Sequence, residues 1–304
     1  MAARKKTVRK KALAKKAPPK KSSELIAFQG VLGAYSHLAC RARFPDMTPL
    51  PCAQFEDAFA AVQSGRAALA MIPVDNSVAG RVADIHHILP KSGLYIIGEH
   101  FQRVNHHLLA VKGATLKGLK RVESHVHALG QCRVFMRKNK LTPRVVADTA
   151  GAAMDVAERG DKTIAAIASK LAGEIYGLKS LASNIEDADH NTTRFLIMSK
   201  TPLKTSAAKG GPYVTSFVFR VRSVPAALYK AMGGFATNGV NMTKLESYMV
   251  GGHFSAAQFY ADVDGHPEEK GLKLALEDLR FYSREVKILG TYPAHRYRLE
   301  HSAD

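Results

Sequence analysis

Short, nearly continuous apolar runs recur through the first two-thirds of the chain: Leu25-Ile26-Ala27-Phe28, Ala68 to Pro73, Tyr95-Ile96-Ile97 and Ile164-Ala165-Ala166-Ile167. Runs of this length predict strands buried on both faces. Between them lie stretches with a helical period, such as Phe55 to Val62, where Phe55, Phe59 and Val62 fall at i, i+4 and i+7. Strands alternating with helices predict α/β units on mostly parallel sheets. After residue 200 the periodicity stops, and residues 201–213 are polar, carry Gly and Pro, and read as a linker. Beyond it Thr215 to Val221 alternates like a half-buried strand. Pro225 opens a helix with Leu228, Met232 and Phe235 on one face, ended by Gly239. Two strand-like runs follow, Val240 to Val250 and Phe254 to Val263, joined by Gly251-Gly252; Leu272, Leu276 and Leu279 mark a second helix and Val286 to Leu289 a last strand. A βαββαβ order within residues 214–292 predicts a ferredoxin-like unit, leaving residues 293–304 as a C-terminal tail.

Composition changes this picture only at the N-terminus. A chain of 304 residues that is 46% hydrophobic can bury one large core or two medium ones. Its formal charge of +18 looks like a nucleic-acid signal until it is located. Residues 1–23 hold ten Lys or Arg and no acid, so the other 281 residues carry only +8. The tail is self-repelling and reads as a disordered, solvated extension, able at most to touch nucleic acid nonspecifically. No secretory h-region is visible, and no apolar run approaches the roughly 20 residues of a membrane span. Cys40, Cys52 and Cys132 are odd in number and widely spaced, which argues against a disulfide framework and for a cytoplasmic protein. The pairs His86-His87, His106-His107 and His125/His127 lack a completing Cys or acid cluster, so no metal is expected. No glycine-rich phosphate loop is present, so neither nicotinamide nor nucleoside triphosphate is indicated.

Five motifs carry the chemistry. In order they are Gly30-Val31-Leu32-Gly33-Ala34-Tyr35-Ser36, Pro73-Val74-Asp75-Asn76-Ser77, Ser124-His125-Val126-His127-Ala128-Leu129-Gly130-Gln131-Cys132, Asp148-Thr149-Ala150-Gly151-Ala152-Ala153 and Asn191-Thr192-Thr193-Arg194-Phe195. In this order and spacing the chain resembles the prephenate dehydratase family. The resemblance implies two α/β lobes with a cleft between them, like the periplasmic solute-binding proteins. Within a catalytic domain at 24–200, residues about 26–102 and 184–200 would form one lobe and about 103–183 the other. It also implies that residues 214–292 are an ACT regulatory domain, which binds free phenylalanine as an effector between paired copies in a homodimer or homotetramer. The short segment before the first strand implies a monofunctional enzyme.

The implied reaction converts prephenate to phenylpyruvate with loss of CO₂ and water, without a cofactor. Matched residue by residue, the family's essential threonine is Thr193, expected to hydrogen-bond and help protonate the leaving hydroxyl, and Arg194 is expected to bind a substrate carboxylate. A threonine hydroxyl is too weak an acid to be matched to neutral pH, so it acts as a hydrogen-bond donor or relay. Tyr35, Ser36, Asn76, Ser77, Ser124, Gln131 and Thr149 are expected substrate contacts, and Gly30 and Gly33 a turn allowing close approach. The effector site would involve Ala226, Ala227, Leu228, Asn241, Glu246 and Ser247. There the chain departs from the family: Pro-Gly-Ala-Leu becomes Pro225-Ala226-Ala227-Leu228, and Glu-Ser-Arg-Pro becomes Glu246-Ser247-Tyr248-Met249. Asp75 replaces the usual glutamate. Arogenate dehydratase is the nearest alternative, differing by one group on the substrate. A two-lobed small-molecule sensor without catalysis is the alternative from another class.

Overall fold

The computed structural model describes residues 24–82, 85–222, 224–250 and 253–301. The basic stretch 1–23 and Gly251-Gly252 lie outside the described residues. The first lobe contains β1 (Leu25–Gln29), α1 (Tyr35–Arg43), β2 (Thr48–Cys52), α2 (Phe55–Gln63), β3 (Leu69–Asn76), β4 (Gly80–Arg81), α3 (Ile85–Ile88) and β5 (Tyr95–Arg103). The chain then builds a second sheet from β6 (His107–Ala110), β7 (Arg121–Ser124), α4 (Val126–Gly130), α5 (Arg133–Lys138), β8 (Thr142–Val145), α6 (Thr149–Arg159), β9 (Ile164–Ala168), α7 (Lys170–Tyr176) and β10 (Lys179–Ser183). It returns as β11 (Thr192–Ser199), which enters the first sheet between β3 and β5, antiparallel to both. The strand orders are β2-β1-β3-β11-β5 and β10-β6-β9-β7-β8. The backbone therefore passes between the lobes twice, at residues 104–106 and 184–191.

β9 is apolar along its whole length, and β1 up to its last residue, Gln29, because both of their faces are covered. In the first sheet Ile26, Phe28, Met71, Phe195 and Ile197 pack against Ala39 and Cys40 of α1. The opposite face, with Ala27, Ile72, Val74, Leu196 and Met198, packs under Phe59 and Val62 of α2.

The third sheet comprises β12 (Tyr213–Val221), α8 (Ala227–Thr237), β13 (Met242–Val250), β14 (His253–Asp264), α9 (Lys270–Tyr282) and β15 (Ser283–Pro293), followed by α10 (Arg296–Glu300). Its order, β13-β14-β12-β15, is antiparallel throughout, the ferredoxin-like arrangement. One face carries Phe217, Phe219 and Phe259 against Ala231 and Phe235 of α8 and Leu276 and Leu279 of α9. On the other face, Val214, Val218, Tyr260, Leu289 and Tyr292 belong to the same buried cluster as Ile72, Val74, Leu196 and Met198 of the first lobe. β15 lies close enough to β5 that a Cβ on Gly290 would overlap the Ile96 carbonyl. The composition break at 201–213 is thus no break in packing, because a linker is polar whether the units it joins are tethered or fused. Residues 293–304, read from sequence as a tail, contain α10, and its Arg298 is anchored in the junction.

Ala226 has φ 58° and ψ 21°, the left-handed region, at the N-terminal boundary of α8. Glycine occupies that region without steric cost, whereas alanine is strained there. Ala226→Gly is expected to raise stability by about 1 kcal/mol, read as a higher urea midpoint at unchanged slope. A lower midpoint would show that the lost methyl contacts outweigh the strain.

Candidate active site between the lobes

In the register of β11 with β3, Thr193 stands opposite Asn76 and Arg194 opposite Asp75. Neighbouring strand residues point to opposite faces, so the two members of the Thr-Arg pair cannot serve one pocket. The amide of Asn76 is oriented by the backbone: its Oδ1 accepts from the N–H groups of Val78 at 3.0 Å and Ala79 at 2.7 Å. Its Nδ2 therefore donates, to Asn191 Oδ1 at 2.8 Å and to Thr193 Oγ1 at 3.0 Å. With Asn191 Oδ1 accepting, Asn191 Nδ2 donates to Gln131 Oε1 at 2.9 Å. His106 Nε2 lies 2.8 Å from the same oxygen. His106 Nδ1 is 3.0 Å from the Tyr35 hydroxyl, which donates to the Asn105 carbonyl at 2.7 Å. One polar cluster thus joins the first lobe (Tyr35, Asn76, Thr193), the second (Gln131) and both crossing segments (His106, Asn191).

The Thr193 oxygen is already an acceptor, and its own hydrogen has no acceptor among the described residues, so this hydroxyl is left as a donor. Burial pushes the Tyr35 phenol well up, with Glu186 adding to the effect, so the phenol stays protonated. Burial also lowers His106, opposed by its bond to Gln131 and by Glu186. Above the cluster the lobes are in contact. Ser169 Oγ donates to the Gly33 carbonyl, and the Tyr176 hydroxyl donates to the Leu32 carbonyl at 2.8 Å. Gly33 has φ +94°, and a Cβ there would sit 2.8 Å from Ala172 Cα of α7. Gly33 is therefore required by lobe–lobe contact, in addition to the tight turn expected from sequence.

Of the sequence-predicted residues, the structure brings Tyr35, Asn76, Gln131 and Thr193 together. Ser124 is a correction: it is fully buried, and its hydroxyl donates to the Ile167 carbonyl at 2.6 Å, pinning β7 to β9. Ser77 is another, because its hydroxyl donates to the His190 carbonyl at 2.7 Å and accepts from Thr192 N–H at 2.9 Å. Ser36 and Thr149 stand in the first turns of α1 and α6 without bonding to the cluster. Asp148, beside Thr149, caps α6 by accepting from Gly151 N–H at 2.6 Å. Sequence reasoning missed His106, which it set aside with the other histidines. It quoted Asn191 without assigning it a role, although Asn191 shares a motif with Thr193.

Arg194 is the largest correction. Its guanidinium donates from Nε to Glu99 at 2.8 Å, from Nη1 to Asp262 at 2.6 Å and from Nη2 to the Tyr292 hydroxyl at 3.1 Å. Arg298 of α10 bonds the same Glu99 at 2.7 Å and approaches Asp262 at 3.7 Å, closing a buried square of two arginines and two carboxylates. The side chain lies on the junction face of β11, so it is committed to the third sheet, away from Thr193. Burial opposes its charge, but Asp262 and Glu99 hold it protonated. The neighbouring Asp75 receives Lys244 Nζ of β13 at 2.7 Å.

The six residues expected at an effector site are not gathered in one place. Glu246 pairs in register with Tyr260, on the face toward the first lobe, and bonds Arg81 and Lys244. The Ser247 carbonyl accepts from Arg81. Ala226, Ala227 and Leu228 begin α8 on the opposite face, and Asn241 is tied to Asp264 at 2.8 Å. A cavity of about 1250 Å³ opens at the junction, lined by Asp75, Asn76, Lys244, Tyr297 and Arg298 among others. It includes Arg194 in its lining but not Thr193. Among the described residues no group of three or more His, Cys, Asp or Glu is placed to hold a metal ion, and no helix is long and apolar enough to cross a membrane.

A family model for prephenate dehydratase matches residues 26–203. A bifunctional N-acyl-homoserine lactone acylase/prephenate dehydratase of Komagataeibacter europaeus is 53% identical over 274 residues, covering 90% of this chain and 97% of that protein. Arogenate dehydratase 2 of Petunia hybrida is 35% identical over 283 residues, covering 88% of this chain and 71% of the relative. Among solved structures, prephenate dehydratase from Arthrobacter aurescens in complex with L-Phe matches with a TM-score of 0.80 at 30% identity, covering 89% of this chain and 90% of that one.

Proposed function

Because the chain belongs to the prephenate dehydratase family, we propose that it catalyses the decarboxylating dehydration of prephenate to phenylpyruvate, with arogenate as the alternative substrate. The observation that supports this most directly is the Thr193 hydroxyl, held as an acceptor by Asn76 and so left as a donor among neutral amides. The reaction needs that kind of group. Hydroxide is a poor leaving group, so a donor at the departing oxygen strengthens its bond as charge develops there. The departing carboxylate must lose its charge, and a full positive charge clamped on it would favour the ground state over the transition state. With Arg194 turned to the junction, the groups beside Thr193 are neutral amides, Asn76 and, one bond further, Asn191. Substrate carboxylates are received instead by polar groups of the cluster and by free amides in the first turns of α1 and α6.

Incubating the protein with prephenate and, separately, arogenate, and following phenylpyruvate and phenylalanine, tests the assignment and the choice of substrate; turnover of neither sinks it. A second reading, amide cleavage of an N-acyl-homoserine lactone, is favoured by the 53% identity to the bifunctional relative. Release of homoserine lactone from such a substrate tests it. Three unpaired, buried cysteines support a reducing, cytoplasmic setting.

For the third sheet we adopt the ACT reading, with phenylalanine as effector and a homodimer or homotetramer as the working unit. The Arthrobacter relative solved with L-Phe supports it. The strain at Ala226 and the Tyr248-Met249 replacement argue for weaker inhibition than in relatives with Gly and Arg-Pro. Calorimetry with phenylalanine, tyrosine and tryptophan decides this; no heat up to millimolar concentration leaves the unit a dimerisation module.

Lobe closure is open to a separate test. Gly33→Ala adds a methyl against Ala172 in a left-handed backbone conformation, so the lobes meet askew. We expect kcat/KM to fall roughly tenfold, since sub-ångström misplacement at the reacting centre is costly, and the unfolding midpoint to fall as well, because alanine at positive φ is strained there. Unchanged kinetics would mean that the closed contact is not the reactive state.

A further inference from the structure

The hydrogen-bond chain through His106 lacks one proton. Its ends are both acceptors with no hydrogen of their own, the Asn105 carbonyl and Gln131 Oε1. The Gln131 oxygen is fixed as an oxygen because Asn191 donates to it, and Asn191 is fixed by Asn76, which is fixed by two backbone N–H groups. Three links must be filled between those ends: Tyr35 to Asn105 at 2.7 Å, Tyr35 to His106 Nδ1 at 3.0 Å, and His106 Nε2 to Gln131 at 2.8 Å. A neutral phenol and a neutral imidazole bring two hydrogens. Nε2 must carry one, because Gln131 Oε1 accepts, so the phenol hydrogen is shared between two acceptors. Only an imidazolium fills all three links.

We propose that His106 takes up one proton at Nδ1 when an anionic substrate enters the cleft, and so acts as the charge-holding positioning residue of the site. The inference rests on the dehydratase reading above. His106 is buried to 1% exposure, and free protein has little reason to keep a charge there. The groups facing it favour protonation once a second anion arrives. Glu186 Oε2 accepts from the His106 backbone N–H at 2.8 Å, and Glu186 Oε1 accepts from Asn105 Nδ2 at 3.2 Å. Tyr35 comes from α1 and Gln131 from the end of α4. Beside Gln131, Cys132 is held as a neutral thiol by burial, with Asp187 and Glu186 reinforcing it. His107 opposes the charge, and Arg103, 3.7 Å from Glu186, offsets part of that carboxylate.

The proton consumed by the reaction is separate from the one held at His106. The ring–carboxylate bond breaks, its electron pair enters the ring, and the C–O pair leaves with the hydroxyl, which departs as water. Prephenate carries one more negative charge than phenylpyruvate, so each turnover consumes one proton from solvent, and the same holds for arogenate. The proton that turns the departing hydroxide into water comes from solvent; the one held at His106 balances the charge of the bound substrate and returns to solvent when product leaves, restoring the neutral imidazole. The amides between His106 and Thr193 fix orientation; they are not a proton wire.

The test uses the full chain with Thr193→Ala, in which turnover is slowed by about 10²-fold or more, so that the fast heat of binding separates from the slow heat of residual turnover. Calorimetric titration with prephenate in phosphate and in Tris, buffers of different ionisation enthalpy, should show uptake of close to one proton per site. Adding His106→Gln, which still donates to Gln131 but holds no charge, should abolish the difference between buffers while binding persists. In Thr193-intact protein, kcat should fall as pH rises through the titration of His106 in the substrate complex, and that limb should vanish in His106→Gln. A purely structural histidine would lower the rate evenly and leave the limb in place. Binding with identical heats in both buffers overturns the proposal. Binding of neither prephenate nor arogenate overturns the dehydratase reading instead. Nitrogen-15 spectra of labelled histidine in the free protein give a check independent of ligand: His106 should be the Nε2–H tautomer near pH 8, and the Nδ1–H tautomer would refute the hydrogen count.

Discussion

Thr193→Ala is expected to lower kcat by about 10²-fold or more, the scale of a lost donor to developing negative charge, while substrate affinity stays within a few-fold. Asn76 Nδ2 occupies the acceptor side of the hydroxyl at 3.0 Å, so the hydrogen of Thr193 has only the cleft to serve. An interaction made mainly to the departing oxygen grows as the C–O bond breaks, and its loss appears in kcat and kcat/KM together. Thr193→Ser keeps the hydroxyl but lets it rotate, so part of the rate should survive. Asn76→Ala should resemble Thr193→Ala more closely than its distance from substrate suggests, because it frees the hydroxyl and breaks the link to Asn191. Steady-state kinetics on the three variants, with affinity measured separately, check the assignment. Equal loss in Thr193→Ala and Thr193→Ser, or little loss in either, would sink it.

The sequence made the elements legible and left the side-chain partners hidden, for a physical reason. Buried strands such as Leu25–Gln29 and Ile164–Ala168 announce themselves because both faces need apolar residues. The βαββαβ order of the third sheet is written in Pro225, Gly239 and the leucine spacing of α9. Thr193, Asn76, Gln131 and Tyr35, which the structure brings together, stand out in the sequence through motif order. What periodicity cannot reveal is which face a polar strand residue serves once both faces are polar near a strand end. Strand alternation alone should have separated Thr193 from Arg194, yet adjacency in a motif suggested a shared pocket. Ser124 and Ser77 were misassigned for a related reason: a serine that satisfies a backbone group looks the same in sequence as one that faces a ligand. Glu99, Asp262 and Arg298 lie far apart in the chain and belong to no motif. Their meeting depends on the packing of the third sheet against the first, which no local pattern encodes.

Removing one member of the buried charge square should be among the most damaging changes available. Asp262→Asn leaves Arg194 and Arg298 sharing Glu99, with only Asp75, 3.7 Å from Arg194 and already paired with Lys244, beside them, and so under-compensates the positive charge inside the junction. Breaking one partner of such a pair costs on the order of 3–5 kcal/mol, read as a fall in the urea midpoint. Arg194→Met should cost a similar amount by leaving two carboxylates with one arginine. Changing both, Arg194→Met with Asp262→Leu, should recover much of the loss, since two opposite charges leave together and Glu99 keeps Arg298. The pH dependence has a definite sign. Burial opposes the Asp262 charge, but Arg194 and the Ser216 hydroxyl bring its carboxyl below the ordinary carboxylate range. A depressed folded-state value contributes stability at neutral pH that is lost as pH falls below the unfolded aspartate value of about 4. The gap between wild type and Asp262→Asn should therefore narrow on acidification. These measurements also separate the two roles for Arg194. A substrate-binding arginine changed to lysine would raise KM and leave the unfolding midpoint alone. An arginine that ties β11 to the third sheet would lower the midpoint, and it would reduce kcat through Asp75 and Asn76, because the strand it anchors is the one that carries Thr193.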